Sequence, residues 1–88
     1  MDESTTPLEF PCRYPIKAMV RSSADARAAV LSVVARHAPF DEADDVRVRP
    51  SRNGRFESLT VTVEATSRAH LEEIYAELRA LDAVVMML

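Results

Sequence analysis

The sequence predicts an α+β fold, in which a four-stranded antiparallel sheet has both helices on one face. The strongest observation is the segment Phe56–Ala65, FESLTVTVEA, where apolar and polar residues alternate as in a half-buried strand. Asn53-Gly54 lies just before it and indicates a tight turn from a preceding strand. Two further segments have apolar residues at helical spacing. The resulting order, strand, helix, strand, strand, helix, strand, predicts the ferredoxin-like βαββαβ fold.

The first half of the chain supplies one strand and one helix. Residues 13–22 alternate as a strand, and we expect its pairing to become regular only after Pro15, which has no backbone N–H. Ser22 or Ser23 is predicted to cap the first helix, which ends before Pro39. The core side of this helix is predicted to contain Ala26, Val30, Val33, Val34 and His37.

The second half begins with an acidic loop over residues 40–45. Val46–Arg49 alternates as a second strand that Pro50 closes, and residues 51–55 form the turn into the central strand. Thr66 or Ser67 is predicted to cap the second helix. The apolar face of that helix is Leu71, Ile74, Tyr75, Leu78 and Leu81. Residues 83–88 form the last strand, so the chain divides into a flexible tail (1–12) and a single domain (13–88).

Composition limits the class of protein. The chain has 88 residues, enough for one domain, and a single cysteine, which rules out an intrachain disulfide and favours a reducing cytosol. The N-terminal segment is acidic and lacks the apolar core of a signal peptide. No apolar run approaches the roughly 20 residues that a membrane-spanning helix needs. We therefore expect a cytoplasmic protein that does not enter a membrane.

Basic residues are concentrated in the stretches 13–22 and 46–62, which contain seven arginines or lysines and one acid, Glu57. The whole chain has a net charge of −3. By strand alternation, most of these basic residues fall on the sheet face that carries no helices, opposite helices that we expect to be net acidic. The residues predicted to bind a ligand or partner there are Lys17, Arg21, Arg47, Arg49, Phe56 and Ser58, with His37, Arg52 and Arg55 as accessory residues.

Two interpretations of this basic face stay open. Any open sheet face must be polar, and arginines can serve solubility alone. Alternatively, the face attracts an anion, because clustered charges of one sign repel each other and a partner relieves that repulsion. The second interpretation predicts a regulatory or adaptor module that binds a small anionic metabolite or an acidic protein partner. RNA binding is the alternative, since RRM domains use the same sheet face. Phe56 is the only aromatic residue on this face, however, whereas an RRM stacks bases on two or three.

No set of residues predicts catalysis. Cys12 has no histidine nearby in sequence and is interpreted as an idle or buried thiol. His37 is interpreted as a packing or capping residue, and His70 with Glu73 supplies only half of a metal-binding helix face. Gly54 is the only glycine, which excludes glycine-rich phosphate loops. We expect no enzymatic activity, no metal and no cofactor.

Several segments carry a family resemblance. They are LEFP (8–11), Lys17, VVARHAP (33–39), SRNGRFESLTVTVEAT (51–66), the face of Leu71, Ile74 and Tyr75, and the closing VVMML. The most specific are His-Ala-Pro at 37–39 and Ser-x-x-Gly-x-aromatic-x-Ser at 51–58. Together they resemble the YbeD-like (UPF0250-type) family of small bacterial proteins of uncharacterised function, over nearly the whole chain from Leu8 to Leu88.

The resemblance implies the ferredoxin-like fold and a likeness to ACT regulatory domains. ACT domains bind small ligands, often amino acids, at domain interfaces and regulate partner enzymes. Ser22-Ser23-Ala24 stands where the ACT pattern has a ligand-binding glycine. The resemblance implies no catalytic residues.

The last strand is apolar on both faces although the fold places it at an edge of the sheet. Exposed apolar edges favour pairing with another chain. We therefore predict a homodimer that forms through this strand or the adjoining sheet face.

Overall fold

A computed structural model of the chain describes residues 8–88. Within that range the elements are β1 (Cys12–Arg21), α1 (Ala24–His37), α2 (Glu42–Asp45), β2 (Val46–Pro50), β3 (Phe56–Ala65), α3 (Arg68–Arg79) and β4 (Val84–Met87). The strands form one antiparallel sheet in the order β2-β3-β1-β4. This confirms the ferredoxin-like fold, with the first and third strands at the centre and the second and fourth at the edges.

The central pair of strands is longer and more regular than the sequence predicts. β1 and β3 pair without interruption from Cys12 opposite Ala65 to Arg21 opposite Phe56, and Pro15 pairs with Thr62 within this register. The expectation that pairing begins only after Pro15 is therefore wrong. The Ser22 N–H donates to the Arg55 carbonyl at 2.9 Å. This bond sets the phase of the ladder, that is, which residues of β1 direct their backbone groups toward β3.

The phase of that ladder explains why Pro15 is tolerated. Backbone groups of an antiparallel strand point alternately to its two neighbours. Counting back from Ser22, the nitrogen of Pro15 points away from β3, toward the side where β4 lies. β4 does not extend that far, since the Leu88 N–H already bonds the Lys17 carbonyl at 3.0 Å. Among residues 8–88, the N–H that proline lacks therefore has no partner to lose.

The hairpin between β2 and β3 is closed by the predicted turn. The Ser51 hydroxyl accepts from the Phe56 N–H at 3.1 Å, and the Asn53 side chain accepts from the Arg55 N–H at 3.1 Å. Gly54 has φ of +77°, the left-handed region that glycine enters without steric cost. This turn fixes the register that places Arg47 and Arg49 beside β3.

Both long helices begin at a serine cap. Ser23 Oγ accepts from the Ala26 N–H, and Ser67 Oγ accepts from the His70 N–H, each at 3.0 Å. These are the second of the two predicted cap positions in each case. The predicted loop 40–45 instead contains one helical turn, α2, because Asp41 Oδ1 accepts from two N–H groups of that turn. Aspartate side chains favour such positions, because they accept from backbone N–H groups two and three residues later.

The core lies between the helices and one face of the sheet. Its buried residues are Ile16, Ala18, Val20, Ala26, Val30, Val33, Val34, Ala38, Leu59, Val61, Val63, Ala65, Leu71, Ile74 and Leu78. Phe10 packs against this core, whereas Leu8 is exposed. The rest of the predicted tail, residues 1–7, lies outside the described residues. Among residues 8–88, no helix is both long and apolar enough to cross a bilayer.

Candidate functional site on the open sheet face

The strand side chains that face away from the helices form what we call the open face. Strand register places them in rows that run across the sheet. One row contains Arg47, Thr60 and Lys17, from β2, β3 and β1. The next row contains Arg49, Ser58, Met19 and Met86, from all four strands. Three cations from two strands therefore surround two hydroxyl groups.

These rows border a depression of about 460 Å³, which we call the basic cleft. It is lined by Pro15, Lys17, Arg47, Arg49, Ser58, Thr60 and Leu88. The side chains of Lys17, Arg47 and Arg49 are exposed, and within residues 8–88 none of the three forms an ion pair. Exposed cations without acidic neighbours attract anions, and arginine in particular binds carboxylates through two parallel hydrogen bonds.

Another basic residue on the open face, Arg13, is neutralised within the chain. Its guanidinium donates to Asp45 Oδ1 at 2.7 Å. The pKa of Asp45 lies below its usual range, because its carboxylate accepts from the Asp41 N–H and from Arg13. Arg13 therefore ties α2 to the start of β1 and does not add a free charge to the basic cleft.

The other predicted site residues are spread along the hairpin end of the sheet. Phe56 is half-buried and lies opposite Arg21 on the open face, beyond the row of Arg49 and Ser58. Arg52 and Arg55 are exposed in the turn between β2 and β3. None of these four residues lines the basic cleft. In the strands, Phe56 is the one aromatic side chain on the open face of the described residues.

His37 lies on the opposite side of the sheet, at the end of α1. Its Nε2 is 3.2 Å from Glu77 Oε1, and its carbonyl oxygen is 2.9 Å from His70 Nε2. The pKa of Glu77 lies below its usual range because of its contacts with His37 and with Arg36. His37 therefore joins α1 to α3 and is separated from the basic cleft by the sheet.

His70 uses both ring nitrogens within the fold. The Thr66 N–H is 3.1 Å from His70 Nδ1, so this nitrogen accepts, and Nε2 then donates to the His37 carbonyl. The histidine fixes the start of α3 against the end of α1. Among residues 8–88, no cluster of three or more histidine, cysteine or acidic side chains is suited to a metal ion. Cys12 is a free, half-buried thiol that packs against the core.

The sequence analysis missed a buried charge on the helix side of the sheet. Glu57 is only 7% exposed, and both its oxygens accept from Arg27 Nη1, at 2.9 and 2.7 Å. Ser22 Oγ donates to Glu57 Oε2 at 2.8 Å. The pKa of Glu57 lies below its usual range because of the bond from Arg27 and then that from Ser22. The alternation of β3 contained this signal, because Glu57 falls on the same face of the strand as the apolar residues Leu59 and Val61.

Two further features of the open face were also missed. Thr60, Pro15 and Leu88 line the basic cleft but were not among the predicted site residues. Met86 and Leu88 of the β4 edge are 51% and 52% exposed, so the open face has an apolar half beside its basic half. The two long helices, α1 and α3, together carry equal numbers of acids and arginines, so the expected net acidity of the helices comes from α2 alone.

Comparison with known proteins identifies the family. A family model described as "Protein of unknown function (DUF493)" matches residues 5–88. The chain belongs to this family. A UPF0250 protein of Chromobacterium violaceum is 44% identical over 87 residues, covering 99% of this chain and 98% of the relative. One of Nitrosomonas europaea is 42% identical over 81 residues, covering 92% of this chain and 93% of the relative. These names confirm the resemblance inferred from the sequence and state no enzymatic activity.

Two solved structures share the fold. The solution structure of HP0495 from H. pylori superposes with a TM-score of 0.78 at 22% identity, covering 98% of this chain and 91% of that protein. The C-terminal domain of the MgtC protein from Mycobacterium tuberculosis superposes with a TM-score of 0.63 at 18% identity, covering 93% and 89%. At these identities the similarity establishes the fold and nothing about activity.

Proposed function

We propose that this DUF493 protein is a non-catalytic binding module of regulatory or adaptor type, which binds carboxylate groups in the basic cleft. The carboxylates belong to a small anionic metabolite or to an acidic segment of a partner protein. The observation that carries the proposal is the set of three cations, Lys17, Arg47 and Arg49, without acidic partners in the described chain. We also propose a cytoplasmic location, which the single cysteine favours.

The arrangement suits a carboxylate for chemical reasons. Arg47 and Arg49 are two residues apart on one strand, so their guanidinium groups project from the same face. Thr60 and Ser58 lie next to them on β3 and supply hydroxyl donors that a carboxylate accepts. Leu88 borders the same cleft, so an aliphatic part of the ligand has an apolar neighbour. We therefore expect dicarboxylates and acidic peptides to bind more tightly than neutral compounds.

The experiment is a calorimetric titration of citrate, glutarate and a short acidic peptide into the wild-type protein and into the double variant Arg47→Glu/Arg49→Glu. Reversing two cleft charges should weaken binding by at least about tenfold, since like charges then face the ligand. The matched control is Arg68→Glu/Arg79→Glu, which changes the net charge equally on exposed positions of α3.

Equal affinity in the wild type and the cleft variant would contradict the proposal and leave the arginines a solubilising role. Equal losses in the cleft variant and the α3 control would mean that net charge alone attracts the ligand. A tighter response to single-stranded RNA than to any carboxylate would favour the RNA-binding alternative.

We also propose that the protein forms a homodimer through β4. Val85, Met86 and Leu88 are 45–52% exposed, so three large apolar side chains are exposed together at one edge of the sheet. Met86→Lys should shift the species seen by sedimentation velocity at micromolar concentration from dimer to monomer. A monomeric wild-type protein under the same conditions would contradict the dimer and leave carboxylate binding untouched.

A further inference from the structure

The opposite edge of the sheet, β2, has backbone groups that no strand of residues 8–88 pairs with. The Ser51 N–H donates to the Phe56 carbonyl at 2.7 Å, which sets the phase of the β2–β3 ladder. By alternation, Arg47 and Arg49 direct their backbone groups toward β3, and Val46, Val48 and Pro50 direct theirs outward. Pro50 agrees with this alternation, since the N–H that it lacks would point away from β3, to the side where residues 8–88 supply no strand. Within residues 8–88, the outward donors and acceptors of Val46 and Val48 have no strand partner and can pair with an incoming strand.

An apolar groove lies beside this edge on the helix side of the sheet. Its volume is about 660 Å³, and it runs between β2 and α1. Four of the six α1 residues that border it are small, namely Ala24, Ala28, Ser32 and Ala35, and the other two are Arg27 and Leu31. The small residues leave the β2 side chains only partly covered. Val48 is consequently 46% exposed, although it points toward the helix layer. Phe40 closes one side of the groove.

The charge on the other side of β2 indicates what the edge accepts. A strand added to β2 would place its alternate side chains next to Arg47 and Arg49 on the open face. A second copy that paired with β2 around Val48 would bring arginines of the two copies into direct opposition, which is unfavourable. Acidic side chains at those positions would instead neutralise both arginines.

We propose that the β2 edge accepts an extended segment of a partner protein, in which acidic and apolar residues alternate. The segment pairs with the outward backbone groups of Val46 and Val48, places its acids beside Arg47 and Arg49, and inserts its apolar side chains into the groove against α1. Strand addition of this kind gains affinity from main-chain bonds and specificity from alternate side chains. The acidic half rests on the carboxylate binding proposed above; the edge pairing and the groove do not.

The test uses a fluorescently labelled eight-residue peptide of alternating glutamate and valine, titrated into the full chain and followed by anisotropy. Val48→Pro removes the outward N–H and leaves the β2–β3 ladder, as Pro50 already does two residues later. We expect Val48→Pro to weaken peptide binding at least tenfold, and the control Val48→Thr, which keeps the N–H and the branched shape, to change it less than threefold. Glutarate binding should be the same in all three proteins.

A second peptide separates the effect of the alternating pattern from the effect of the peptide's net charge. A peptide with the same four glutamates and four valines in two blocks should bind at least tenfold more weakly than the alternating one. Hydrogen exchange supplies a readout that needs no variant: the Val48 amide should exchange quickly in the free protein and become protected when the alternating peptide binds.

Several results would overturn the proposal. They are equal binding of the two peptides, equal binding by Val48→Pro and wild type, or no protection of the Val48 amide at saturating peptide. In each case, retained glutarate binding would leave the carboxylate-binding function standing. Peptide binding that depends on Val48 in a protein that binds no glutarate would instead remove that function and support the edge. Concentration-dependent dimerisation abolished by Val48→Pro would assign the edge to a second copy.

Discussion

Neighbouring residues of β3 lie in opposite electrostatic settings. Glu57 faces the helices, is 7% exposed and accepts from Arg27 and Ser22. Ser58 faces outward beside Arg49, which has no acidic partner within the described chain. The same hairpin therefore carries a matched charge on one face and unmatched charges on the other. A charge that is paired within the chain contributes to folding, whereas an unpaired charge is available to a ligand.

The largest expected effect on stability comes from breaking the matched pair. Glu57→Ala leaves Arg27 and Ser22 without their acceptor, and removing one partner of a buried pair typically costs 3–5 kcal/mol. Arg27 is 36% exposed, so water compensates in part, and we expect a loss of about 2 kcal/mol. The measurement is urea unfolding at pH 7. The control Glu64→Ala, exposed on the same strand, should stay within about 0.5 kcal/mol of wild type.

Lowering the pH should remove the stabilisation that the pair of Glu57 and Arg27 supplies. The pKa of Glu57 is lower in the folded protein than in the unfolded chain, because Arg27 and then Ser22 stabilise its charged form. The stabilisation is therefore complete above the unfolded pKa, about 4.3, and is lost as pH falls through the folded pKa. Urea unfolding from pH 7 to pH 3 should show a decline that is shallower in Glu57→Gln. Asp45 and Glu77, whose pKa values are also lowered, should contribute to the decline that remains. Identical pH profiles in the two proteins would contradict the assignment.

A smaller effect on stability is expected in the turn that joins β2 to β3. Gly54 has φ of +77°, and apart from its two chain neighbours no described residue has an atom within 4 Å of the position where a Cβ would be placed. Gly54→Ala therefore meets no clash, and its cost is the backbone conformation alone, about 1 kcal/mol. Thermal unfolding measures this loss. Gly54→Asn, which tolerates the left-handed region better, should lose less.

The smallest effect on stability is expected on the open face. Arg47→Ala/Arg49→Ala removes no side-chain hydrogen bond or ion pair among residues 8–88, so the free energy of unfolding should change by less than about 0.5 kcal/mol. Citrate binding by the same protein should fall at least about tenfold. A stability loss comparable to that of Glu57→Ala would mean that these arginines serve the fold, and the distinction between the faces would fail.

The sequence predicts the framework of the fold because that framework depends on periodicity. The alternation in Phe56–Ala65 sets the central strand, and the same parity places Lys17, Arg47 and Arg49 on one face, as the register confirms. Asn53-Gly54 specifies the hairpin through local chemistry. These features need no knowledge of distant contacts, which explains why they are predictable from a single chain.

The features that sequence reasoning missed depend on contacts between distant residues. Glu57 pairs with Arg27 from a different element, 30 positions away, so no local pattern announces the match. His37 falls on the core side as its spacing predicts, but its neighbour Glu77 is set by how α1 packs on α3. The direction of the Pro15 nitrogen follows from ladder phase, which needs a known bond between strands.

The most direct measurement of the central claim is a map of where a carboxylate binds. Amide chemical shifts of isotope-labelled protein would be followed while citrate is added. Carboxylate binding in the basic cleft predicts saturable shifts at Lys17, Arg47 and Thr60, and none at core amides of the helix layer such as Val30 and Ile74. Shifts confined to the helix layer, or no saturable shift at any amide, would contradict the claim.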